Sequence, residues 1–124
     1  MTPFIAACIY AVSAAMPIAM QIALALGAPL GRFANGGRFP GALPPLWRGL
    51  AVVQGAILVA MIWSVLARGG VIAAQVAPAL FWATVGISVL TMIANAISPS
   101  RPERLLWTPV TGVMVAAALC VAFL

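Results

Sequence analysis

Residues 55–63 read GAILVAMIW. The run is continuously apolar, whereas a membrane β-strand would alternate apolar and polar residues over about ten positions. Extended in both directions it reaches from about Leu46 to Ala67. At roughly 1.5 Å per residue a helix of that length crosses a hydrocarbon core of about 30 Å. Three further stretches have the same character, from about Pro3 to Leu26, Pro78 to Ile97 and Leu105 to Leu124. The chain is therefore expected to be an all-α integral membrane four-helix bundle, with residues 1–124 as one transmembrane domain. The first stretch lacks a charged start and runs past signal-peptide length, so it reads as a retained helix.

Composition supports this and excludes much else. Of 124 residues 65% are hydrophobic and 6% charged, and the mean hydropathy is +1.20. A soluble domain carries charge on about a quarter of its residues. There is no His, Asp or Lys; the only acid is Glu103, and all six positive charges are arginines. Common zinc, non-haem iron and His-ligated haem sites need residues that one such chain does not have. No titratable acid or base lies inside an apolar span to carry protons. No metal and no cofactor is expected, and the residue set leans away from an enzyme. Five net positive charges at helix ends fit membrane topology, with no nucleic-acid partner implied.

Those charges also give an orientation. Arg32, Arg38 and Arg48 belong to the first connection, Arg101 and Arg104 to the third, and Arg68 alone to the second. The arginine-rich side is expected to be cytoplasmic, which leaves both termini non-cytoplasmic. Trp47 and Trp107 open spans two and four, and Trp63 and Trp82 stand near the opposite boundary, as interfacial belts do. Pro17 interrupts the first span, and Pro109 is expected near the start of the fourth helix. The apolar segment from Gly69 to Ala77 is expected along the outer interface.

Three groups of residues are candidates for a site. The first connection, GAPLGRFANGGRFPGALPPLWR, combines five glycines with two Arg-Phe pairs. Glycine turns can gather N–H groups into an anion-binding concavity, and arginine forks beside aromatic rings suit phosphate or carboxylate. Arg32, Arg38, Arg48, Arg101 and Arg104 are thus the candidate anion or lipid-headgroup ligands. The second group is an intramembrane polar set. Thr84, Ser88, Thr91 and Asn95 share one face of the third helix, joined by Gln21, Gln54, Thr108 and Thr111. Amides facing lipid are costly, so these are expected to point inward, as interhelical ties or as the wall of a pocket. Glu103, beside so many arginines, is expected to form a structural salt bridge. Ser98 or Ser100 is expected to cap the helix that follows.

The motifs APLGRFANGGRFPGALPP and NAISPSRPERLLW resemble those of small four-helix bacterial inner-membrane proteins with no assigned activity. The resemblance covers most of the chain and implies a multi-pass protein of the bacterial inner membrane. The length and four-span plan are also similar to fluoride channels and small multidrug transporters. Helix one holds no acid and the phenylalanine-rich channel motif is absent, so neither function is carried over. The expected function is a non-enzymatic accessory or binding subunit. It would dock a membrane-protein partner or an anionic lipid through the arginine-rich loops, alone or as a homo-oligomer in the bilayer. The alternative is a small oligomeric channel or carrier for an anion or small polar solute, using the Thr84, Ser88, Thr91 and Asn95 stripe.

Overall fold

The computed structural model describes residues 1–124. Four long helices carry the chain: α1 (Pro3–Ala25), α2 (Pro45–Arg68), α3 (Pro78–Ala96) and α4 (Arg101–Phe123), with no strands. Each is long and apolar enough to cross a membrane. Every helix has a proline in its first turn, where the missing N–H costs little. Thr2 caps α1 by accepting from the Ile5 N–H, and Ser100 caps α4 by accepting from Glu103 N–H.

The helices alternate in direction. Gly69 after α2 lies against Pro3 and Ala7 of α1, and the rings of Trp82 on α3 and Phe123 on α4 are 5.9 Å apart. Both termini and the 69–77 segment therefore share one end, the terminal end. The first and third connections share the other, the loop end. Helix α1 packs closely on α2 and α4, and α4 on α3, whereas α2 and α3 meet only lightly. The order around the bundle is thus α2, α1, α4, α3, with a seam between the first and the last.

The central contact depends on small residues. Ala7, Tyr10 and Ala14 of α1, at steps of three and four, together with Ala6 meet Met114, Ala117, Ala118 and Val121 of α4. Such side chains let two backbones approach closely, the packing that holds helices together in lipid. Val65, Phe81 and Val85 complete this core, which fills the terminal half. Val71 and Val76 of the 69–77 segment tuck against it. Only 26 of 124 residues are buried, and large apolar side chains such as Val12 (74% exposed) and Leu90 (67%) cover the outside. That inverts the surface of a soluble protein and matches a multi-pass membrane protein.

Helix α4 begins at Arg101, with Ser100 as the expected cap and Pro102 in its first turn, a turn before its apolar span. Two sequence expectations are corrected. Pro109 therefore lies inside the helix, like Pro17 in α1. Trp107 does not face the boundary. It is buried, and its indole N–H donates to the Phe33 carbonyl at 2.8 Å.

Candidate functional site

The first connection is built as a plug for the loop end. Gly31 and Arg32 donate backbone hydrogen bonds to the carbonyls of Gly41 and Pro40, closing the segment on itself. Two 3-10 turns, Gly31–Phe33 and Asn35–Gly37, lie within it. Gly31 is obligatory, because a Cβ there would collide with the Phe39 carbonyl oxygen. Asn35, Gly36 and Gly37 have φ of 53°, 68° and 73°, a left-handed run that favours glycine and asparagine.

This run turns the Gly36 N–H towards α4, where it meets Glu103 Oε2 at 2.8 Å. The concavity expected to bind an external anion is thus occupied by the chain's own carboxylate. The amides of Gly27, Gly31 and Gly37 are likewise used internally, by Leu24, Gly41 and Ala34. The expected salt bridge of Glu103 is corrected at the same point: its partner is a backbone amide, not an arginine. Ser100 Oγ adds a hydrogen bond to the Arg32 carbonyl.

The arginines turn to other groups. The Arg32 guanidinium lies 4.8 Å from the Phe33 ring centre, and that of Arg38 lies 5.4 Å from both Phe39 and Trp47. Such stacking holds a guanidinium in place while leaving its N–H edge free. Arg48 Nε donates to the Ala25 carbonyl at 3.1 Å and Arg104 Nη1 to Ser98 at 2.8 Å. Arg32, Arg38 and Arg101 are exposed. Arg68 stands apart, over Phe81 at the terminal end.

Beneath the plug, the loop half of the bundle is hollow. A cavity of about 540 Å³ lies behind the seam between α2 and α3, within the size range of ligand pockets. Helix α4 supplies its back wall with Glu103, Trp107, Thr111 and Met114, at steps of four, four and three. Gln21, Gln54, Ser88, Thr91 and Asn95 also line it, so most of the sequence-derived polar set does come together. Gln21 Nε2 donates to Gln54 Oε1 at 2.8 Å, and Asn95 Nδ2 lies 3.5 Å from Thr111 Oγ1, a weak contact.

Two members of that set lie elsewhere. Thr84 shares a 2.7 Å hydrogen bond with Ser64, tying α3 to α2 in the terminal half. Thr108 Oγ1 is buried without a partner and does not reach the cavity. Ser88 stands at the boundary, sharing a 2.8 Å hydrogen bond with Tyr10. Past Ser88 and Met61 the space ends against the terminal-half core. Polarity alone missed Phe33, Met61, Trp107 and Met114 of the wall. The register of Glu103, Trp107, Thr111 and Met114 on one face of α4 was the available signal. Cys8 and Cys120 are free thiols, partly buried on adjoining helices.

Compared with protein-family models, curated proteins and solved structures, the chain matches none of them.

Proposed function

We propose that this chain is a non-enzymatic binding protein of a bacterial-type inner membrane, with both arginine-bearing loops in the cytoplasm. There it engages anionic lipid headgroups, or the acidic face of a membrane-protein partner, through Arg32, Arg38 and Arg101, with Arg48 and Arg104 behind them. The observation that carries this reading is an unbalanced charge. The chain has six arginines and one acid, and that acid meets the Gly36 amide rather than an arginine. Arg32 and Arg38 are held on aromatic rings with no carboxylate of their own. Guanidinium groups so placed, at a boundary of falling dielectric, favour phosphate or carboxylate from outside the chain.

The channel or carrier reading has less support. A pore through one chain would need the terminal half to open, and that half is a packed core around Tyr10, Val65 and Phe81.

The test replaces Arg32 and Arg38 together by Gln and measures retained phosphatidylglycerol and co-purifying proteins by native mass spectrometry, at low and high salt. The double variant should fold and retain less, and high salt should weaken wild-type retention, since exposed charges are screened over about 8–10 Å. Equal retention by both proteins at both salts would leave the arginines as topology signals alone and refute the proposal.

A further inference from the structure

Only one charged side chain stands in the cavity wall, and it is Glu103; none of the six arginines lines that space. Glu103 is buried, 9% exposed. Its Oε2 is taken by Gly36, while Oε1 has no partner within the chain. Asn95, which also lines the cavity, donates towards Thr111, which leaves its carbonyl oxygen free as a second acceptor. Further from the loop end the wall becomes apolar, with Leu58, Met61 and Met114. The cavity is therefore polar and acidic at one end and oily at the other. Its opening is lateral, at the light contact between α2 and α3, where the exposed side chains of Ile57, Ile87 and Leu90 border it. In a bilayer that opening faces hydrocarbon, so an acyl tail enters without crossing water.

We infer that the cavity holds one tail of an aminophospholipid, with the primary ammonium of its headgroup on Glu103. A primary ammonium donates hydrogen bonds to the free carboxylate oxygen and to the Asn95 carbonyl. A trimethylammonium has no N–H to donate, and a phosphoglycerol head brings net negative charge towards a buried carboxylate. This goes beyond the arginine reading: the arginines select phosphate or carboxylate, whereas Glu103 selects the nitrogen end of a zwitterionic head.

The experiment uses the full chain in vesicles containing phosphatidylethanolamine, phosphatidylcholine and phosphatidylglycerol with identical tails. Bound lipid is identified by native mass spectrometry. Wild type should retain ethanolamine over choline by about tenfold, the size of one charge-assisted hydrogen bond. Glu103→Gln can still accept from the Gly36 amide, so it should fold and bring that ratio close to one. Ala94→Phe narrows the mouth and should reduce retention of both lipids. Arg32→Gln with Arg38→Gln should lower phosphatidylglycerol and leave the ethanolamine-to-choline ratio unchanged, which separates this inference from the arginine reading. Wild type with no ethanolamine preference, a preference that survives Glu103→Gln, or one lost with the arginines would each overturn it. Should Glu103→Gln fail to fold, the wild-type ratio and Ala94→Phe decide.

Discussion

At the scale of single residues, Glu103 does the most connecting. It stands in the first turn of α4, where a carboxylate complements the helix dipole, and it receives the Gly36 amide from the first connection. Removing the carboxylate leaves a part-buried N–H without an acceptor, which costs about 1–3 kcal/mol. Glu103→Ala should therefore lower stability by about that much, and Glu103→Gln by less, as read from unfolding of the purified protein in detergent. Equal stability of Glu103→Ala and wild type would mean that the Gly36 contact contributes nothing. This partnership was not legible in the sequence. Proximity to arginines argued for an ion pair, whereas the real partner depends on a left-handed backbone run 67 residues away.

At the scale of helices, the polar ties of the terminal half are short and buried, whereas those around the cavity are either exposed, as Gln21–Gln54 is, or long, as Asn95–Thr111 is. Tyr10 and Ser88 meet at 2.8 Å inside the core, while Asn95 and Thr111 are 3.5 Å apart. Tyr10→Phe deletes only the hydroxyl and should cost about 0.6–2 kcal/mol, the range for interhelical hydrogen bonds in membranes. Asn95→Leu should cost less than Tyr10→Phe in the same unfolding measurement; the reverse order would place the stabilising polar contacts around the cavity instead. The helices themselves were readable to within a residue or two for α1, α2 and α3, because a helix long and apolar enough to cross a membrane displays that composition directly in its sequence. The start of α4 was readable only from its capping signals, Ser100 and Pro102, because the apolar run begins a turn later. The polar positions of the site were also readable from register. Which of them reach a common space was not, because that depends on how lightly α2 and α3 meet.

At the scale of the whole molecule, both termini lie at the end opposite the arginine-bearing connections. Five arginines stand at one end and Arg68 alone at the other. The asymmetry predicts the orientation in the membrane. A reporter enzyme fused after Leu124 and active only outside the cytoplasm should be active, and a cytoplasm-dependent reporter at the same place should be silent. The opposite pattern would invert every assignment of side made in the proposal.

The plug at the loop end also has a history in time. The first connection leaves the ribosome early, yet its fastenings come from the last helix. Gly36 waits for Glu103, Arg32 for Ser100 and Phe33 for Trp107, at separations of 67, 68 and 74 residues. Until α4 is synthesised and in place, that connection has only its own short-range hydrogen bonds and the packing of Leu43 and Phe39 beside Leu24 and Ala51 to hold it. A closed plug is thus a sign that the last helix has arrived, and a chain stalled or cut before residue 100 leaves its glycine-rich segment open to any protease on that side.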